Sequence, residues 1–254
     1  MAEFFNVEGL RVKYFGRDGF AVGGVSFKVE RGEFACLVGE SGSGKTSTVM
    51  AALGLLPAGS EVQGRIIFEG QDLLSLSGDA MRALRGRRIA LIPQGAQNSF
   101  TPVRSIGSHI NEVLHVHFKM RGNEAKNRTA ELLESVGLDA ATAKKFPHEL
   151  SGGQKQRAAV AAALAGEPDM LFADEPTTAL DVITQAGILE LLNALRVEKN
   201  LAVLLVSHDL PMAASVASNM FVMKDGLIVE SGSPKDIVSS PKHEYTKKLV
   251  RAAL

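Results

Sequence analysis

Residues 34–50 read "FACLVGESGSGKTSTVM", and this run decides the fold. Phe34 to Val38 is unbroken apolar sequence, the pattern of a strand buried on both faces of a parallel sheet. "GESGSGKT" at 39–46 matches G-x-x-x-x-G-K-[ST], and helix-forming sequence follows it. A strand, a glycine-rich turn and a helix start form the context in which this motif cradles phosphate. Gly39, Gly42 and Gly44 permit backbone geometry closed to other residues, so successive N–H groups can face an anion. Lys45 supplies a point charge for β- and γ-phosphates, and Thr46 a hydroxyl for Mg²⁺. Ser41, Ser43 and Ser47 lie in or beside the loop and are counted with it as nucleotide-binding residues.

Upstream, "LRVKYF" and "GVSFKVE" read as short strands, the second with Val25, Phe27 and Val29 on one face. Downstream, Thr46 to Leu56 reads as a helix closed by Pro57, "GRIIFEG" as an edge strand and "RRIALIPQ" as a buried one. From Gln94 to Gly166 strand signals vanish, and "EAKNRTAELLESVG" has helical spacing with Gly137 as its stop. Strands return in "DMLFADE" and "LAVLLVSHD". The helix between them opens at Asp181, with Ile188, Leu191, Leu192 and Leu195 on one face. "NMFVMKDGLIVESG" is a hairpin turning at Asp225-Gly226. Apolar strands alternating with helices give an α/β fold with a parallel sheet, interrupted by a helical insert.

Two strand ends carry chemistry. Asp174 and Glu175 close "MLFADE", where a carboxylate suits the Mg²⁺ shell and its neighbour a general base aimed at water. His208 closes "LLVSH" and is placed to bond a γ-phosphate. Ligands bind at the carboxyl ends of parallel strands, which favours function over plain solvated charge. A second glycine-rich helix start, Ser151-Gly152-Gly153-Gln154, offers backbone N–H groups and a positive dipole end to an anion. Since the upstream loop already serves one side of a phosphate, the second donor set points to a second molecule. Two copies facing head to tail would bury two nucleotides between them.

Bulk numbers narrow the classes. Lys plus Arg (28) equals Asp plus Glu (28), so no basic field recommends nucleic acid. The lone Cys36 excludes an intrachain disulfide and reads as a small buried hydrophobe. The opening "MAEFFNVEG" lacks a basic-then-apolar leader, and the longest apolar run, "AAVAAALA", is too short to span a membrane. A soluble, cytosolic chain is expected, with any membrane role carried by a partner. His109, His115 and His117 lack further ligands at zinc-like spacing and read as ordinary surface or packing residues.

"LSGGQ" at 150–154, with "GESGSGKT", Gln94, "MLFADEP", "TALD" at 178–181 and His208 in this order, resembles an ATP-binding-cassette ATPase over essentially the whole chain. The resemblance implies a RecA-like P-loop NTPase core with an N-terminal antiparallel β subdomain. The nucleotide-binding core would take residues 1–93 and 167–235, the helical subdomain 94–166 and a tail 236–254. ATP and Mg²⁺ are the implied cofactors, with Thr46, Gln94 and Asp174 at the metal. Glu175 would activate water, with Gln94 reporting on the γ-phosphate and His208 fixing it. Ser151, Gly152, Gly153 and Gln154 would contact the partner's ATP, and Asp181 would cross the interface. Tyr14 falls where the family stacks an aromatic on adenine, with Phe15 the neighbouring candidate.

Further stretches resemble the oligopeptide, dipeptide and nickel importer ATPases: "LLPAGSEVQGRIIFEGQDLLSL", "MRALRGRRIALIPQ" and the tail with His243, Tyr245 and Thr246. The chain departs from that group at Gly95-Ala96 and Phe100-Thr101-Pro102, where Asp-Pro and Leu-Asn-Pro are usual. This implies an ATPase on the cytoplasmic face of the inner membrane. Its partners would be a second cassette ATPase, two integral permease subunits and, indirectly, an extracytoplasmic solute-binding protein. An ATP-switched clamp in a soluble complex, like the accessory ATPases of phosphonate breakdown, is the alternative.

Overall fold

Alternation of apolar residues builds the first sheet. β1 (Phe5–Lys13) pairs antiparallel with β2 (Val22–Val29), Phe5 opposite Val29 and Val12 opposite Val22. Val25, Phe27 and Val29 turn inward as the sequence predicts. The computed structural model describes residues 4–96 and 99–253; Met1, Ala2 and Glu3, part of the stretch read above for a leader, lie outside them. By contact density the chain forms two units, Met1–Arg82 with Arg196–Leu254, and Ala83–Leu195.

In the first unit, β3 (Phe34–Val38) is buried at all five positions. It lies between two parallel neighbours, β8 (Ala202–Ser207), also wholly buried, and β9 (Asn219–Lys224). Ala35 sits opposite Leu204 on one side and Asn219 on the other. β10 (Leu227–Gly232) returns antiparallel to β9 through a tight turn at Asp225 and Gly226, with φ of 49° and 80°. Positive φ at both central residues is what a right-twisted hairpin requires.

The helix after the glycine loop, α1 (Lys45–Ala52), is shorter than its sequence suggests. It ends at Gly54, whose φ of +61° is left-handed, rather than continuing to Pro57. β4 (Glu61–Phe68), predicted as an edge strand, lies between β1 and the two-residue β5 (Gln71–Asp72). Only Ile67 and Phe68 are covered by β5, so most of β4 does keep an open edge. α2 (Gly78–Leu84) follows. α7 (Leu210–Val216), α8 (Pro234–Ser239) and α9 (Glu244–Ala253) complete the elements beside these strands.

The second unit holds β6 (Ile89–Ile92) parallel to β7 (Met170–Asp174), with Ile89 opposite Met170. Between them, among the described residues, lie only helices and short 3-10 turns: α3 (Ile106–Phe118), α4 (Gly122–Ser135) and α5 (Gly152–Leu164). Gly137, at φ +73°, ends α4 as expected. α6 (Val182–Lys199) buries Ile188, Leu189, Leu192 and Leu195; Leu191 is half-buried, so the inward stripe is rotated toward Leu189. Among the described residues no helix is long and apolar enough to cross a membrane.

Candidate functional site

The phosphate loop of the first unit closes around Lys45. Lys45 is buried, 4% exposed, and its ammonium donates to the carbonyls of Gly39 (2.7 Å) and Glu40 (2.8 Å) and to the Ser43 hydroxyl (3.3 Å). Gly42 and Gly44 have φ of 83° and 103°, values that suit glycine. A Cβ on Gly44 would lie 2.4 Å from the Ala21 carbonyl oxygen, so the loop also needs glycine for space. Gly44 is the N-cap of α1 and makes no side-chain cap bond to it. Ser41, Gly42 and Thr46 are exposed, and Ser47 is half-buried.

Tyr14 stands just past β1, its hydroxyl 2.9 Å from the Ser47 hydroxyl, which fastens the ring to the first turn of α1. Phe15 is 84% exposed and lies against Gly59. His208 follows the last residue of β8 and is exposed.

In the second unit, Asp174 is the final residue of β7 and is fully buried. Glu175 follows at φ 46°, a left-handed conformation that a non-glycine residue holds at a cost of about 1–3 kcal/mol. Its Oε2 accepts from the Gln94 amide (3.0 Å) and from the Thr178 hydroxyl (3.1 Å). The structure thus brings Gln94 and Glu175 together and adds Thr178, which sequence reasoning missed. The signal was present as a hydroxyl three residues beyond the carboxylate in "EPTT".

The second glycine-rich helix start is built differently. Ser151 and Gln154 form a reciprocal capping box: the Gln154 N–H reaches the Ser151 hydroxyl (3.3 Å), and the Ser151 N–H reaches the Gln154 side-chain oxygen (3.0 Å). Neither Gly152 nor Gly153 has positive φ. Gly153 is glycine for space, because its Cβ would lie 2.8 Å from the Thr184 methyl. Thr184 is in turn held by Asp181, which accepts from its backbone N–H (3.0 Å) and its hydroxyl (2.7 Å). Those bonds, the hydroxyl's foremost, hold the Asp181 carboxyl below its ordinary pKa. Asp181, the expected helix cap, therefore also fixes the wall against which Gly153 packs. Val182 and Ile183, 79% and 86% exposed, stand beside this face.

A strand–glycine-loop–helix cradle in one unit and a capped glycine-rich helix start in the other define a P-loop ATPase cassette. The family model described as "ABC transporter" matches residues 22–178, and the chain belongs to that family. It is 45% identical to the peptidoglycan transport ATP-binding protein YejF of Agrobacterium fabrum, over 93% of this chain and 44% of that one. It is 44% identical to the oligopeptide transport ATP-binding protein OppD of Bacillus subtilis, over 92% of this chain and 66% of that one. The chain thus spans about half to two thirds of the length of these relatives. Among solved structures, the ATP-binding cassette MJ0796, a dimer in a post-hydrolysis state bound to ADP and Pi, superposes with a TM-score of 0.80 at 28% identity. That match covers 91% of this chain and 99% of the other.

Proposed function

We propose that the chain is the ATP-binding and ATP-hydrolysing subunit of a peptide importer. It works as a head-to-tail pair of cassettes, with itself or a homologous ATPase, on two integral permease subunits that a solute-binding protein feeds. It sits peripherally on the cytoplasmic face of the inner membrane. The observation that carries the reading is the loop closed around Lys45. Peptide as the solute follows from the relatives, whose names are those of oligopeptide and peptidoglycan transport proteins.

Each residue has a role in this reading. Lys45 and the N–H groups of Gly42, Ser43 and Gly44 take the phosphates, with Gly39, Ser41 and Ser47 completing the loop. Tyr14 stacks on adenine, a contact worth about 1–3 kcal/mol. Glu175 accepts the proton of the attacking water, its Oε2 oriented by Gln94 and Thr178. His208 bonds the γ-phosphate. Ser151 through Gln154 receive the partner's ATP, and Asp181 braces that face. Thr46 in one unit, and Gln94 and Asp174 in the other, each carry the oxygen donor type that a hard cation such as magnesium prefers, and these residues would hold it. When bound, it neutralises charge on the phosphate oxygens.

The helical region also carries an apolar groove of about 310 Å³ lined by Pro93, Phe100, His109, Val113, His117 and Ala163. Its lining includes Pro93 before Gln94 and Phe100 after it, and in this reading it seats a permease segment. Burial, with Arg87 and Lys119 nearby, keeps His117 below its ordinary pKa, so the groove holds a neutral imidazole at pH 7.

The test is Glu175→Gln, which should slow hydrolysis by about 10²–10⁴ while ATP still binds. Trapped with ATP and Mg²⁺ in its native cells and extracted in mild detergent, this variant should bring integral membrane subunits with it. Recovery of soluble enzymes alone would overturn the transport role. Undiminished hydrolysis would remove Glu175 as the base.

A further inference from the structure

The closing segment His243–Thr246 contains none of the residues assigned to the nucleotide, yet it reaches the phosphate loop. It is anchored at two points. Glu230 on β10 accepts the backbone N–H groups of Lys242 (2.8 Å) and His243 (3.0 Å). His243 Nδ1 accepts the N–H of Tyr245 (3.2 Å), which caps the start of α9. The Tyr245 side chain is then buried at 5% exposure, with the Lys224 ammonium 5.2 Å from its ring centre, and Thr246 is fully buried beside it. From there the Tyr245 hydroxyl accepts the backbone N–H of Glu40 at 2.9 Å.

That N–H shares one planar trans peptide with the Gly39 carbonyl, so the two groups point in opposite directions. The carbonyl edge accepts from the Lys45 ammonium at 2.7 Å. The N–H edge is taken by Tyr245. Rotation of this peptide would break both bonds together, and the loop is already confined. A Cβ on Gly39 would lie 2.1 Å from the Met223 carbonyl oxygen, leaving no slack on that side. Burial raises the phenol's pKa above its ordinary value, against the opposing pull of the Glu40 N–H, so the hydroxyl stays neutral at physiological pH.

We propose that Tyr245 is a positioning residue for the phosphate site: its hydroxyl locks the Gly39–Glu40 peptide, and that peptide's carbonyl holds the Lys45 ammonium in place for the terminal phosphates. The proposal rests on Lys45 being a phosphate ligand. It makes the C-terminal segment a working part of the nucleotide site, tied to the loop from outside.

Tyr245→Phe removes the hydroxyl and keeps the ring, so packing is preserved, and a urea titration of the variant checks that the fold is intact. The probes are trinitrophenyl-ATP and trinitrophenyl-AMP, which share base, ribose and dye and differ in the phosphates that Lys45 contacts. The variant should bind the ATP probe about 3–10-fold more weakly, as expected for one lost hydrogen bond, with the AMP probe unchanged within about twofold. Glu230→Ala, which releases the segment's anchor without touching Tyr245, should give the same selective loss. Equal losses for both probes would show a merely structural effect and overturn the proposal, as would no loss for either. Lys45→Ala run alongside separates the two levels. If it too leaves the ATP probe unaffected, Lys45 is not a phosphate ligand, and the underlying reading fails with the proposal. If it weakens the ATP probe while Tyr245→Phe does not, only the Tyr245 proposal fails.

Discussion

The phosphate loop and the Ser151–Gln154 segment both put glycines ahead of a helix, but they solve opposite problems. In the loop, Gly42 and Gly44 sit at positive φ, the helix has no side-chain cap, and Lys45 is held inward by carbonyls. The chain itself keeps that cradle open. At the second site the glycines have ordinary helical geometry, and Ser151 with Gln154 closes the helix start on itself. In the proposed reading one is a preformed receptor, and the other a stable capped helix end that meets a ligand brought by a second molecule. Glycine count in a sequence does not separate the two; φ and capping do.

The contrast can be broken at several points. Lys45→Ala should have the largest effect, weakening ATP binding about 10–100-fold through loss of charge-assisted hydrogen bonds. Isothermal titration of the isolated chain measures it, and an affinity within twofold of the parent's would end the receptor description. Next comes a matched pair. Gly44→Ala forces a side chain into left-handed backbone and against Ala21, and should destabilise the fold by about 1–3 kcal/mol from the backbone alone. Gly153→Ala gains up to about 1 kcal/mol of helix propensity and must displace a Thr184 methyl that Asp181 pins, with no left-handed backbone to strain. Its loss of stability by urea denaturation should therefore be smaller than that of Gly44→Ala, and equal losses in the pair would erase the distinction.

A smaller change sharpens the second site. Ser151→Ala removes the N-cap and should cost about 1 kcal/mol by urea denaturation. The smallest effect concerns pH. Because its bonds to Thr184 depress the Asp181 pKa, its contribution is complete above the unfolded value of about 4 and fades as pH falls through the lower folded value. The amide resonance of Thr184 should follow that titration, and Asp181→Asn should flatten it. A Thr184 shift that persists in the variant would assign the transition elsewhere.

Much of this was legible in the residues, for reasons that can be named. The phosphate loop needs glycine, lysine and threonine at fixed places for its geometry, so spacing alone marks it. The hairpin at Asp225-Gly226 and the stop at Gly137 follow from positive φ, which few residues tolerate. What stayed hidden depends on distant partners. Leu53 to Leu56 has helical composition, yet the chain turns at Gly54, and composition does not announce which glycine will adopt left-handed geometry. The part-covered edge of β4 depends on two residues of β5. Gly153 looked like an anion-binding residue only, and its contact with Thr184, thirty-one positions later, has no local signature. The bond from Tyr245 to Glu40 spans 205 positions, beyond the reach of any periodicity.

The strand that feeds the phosphate loop carries one more consequence. Cys36 is the only thiol in the chain, sits fully buried in the middle of β3, and points its sulfur at the Ala213 carbonyl 3.7 Å away. Burial pushes its pKa far above the usual thiol range, so almost no reactive thiolate exists while the sheet is closed. The protein therefore carries its own clock. An alkylating reagent added to the intact chain records the moments when the central strand comes apart, one mark per molecule and no background from other sites. Slower marking with a nucleotide present would report, from inside the sheet, how tightly the loop beyond Val38 has been held.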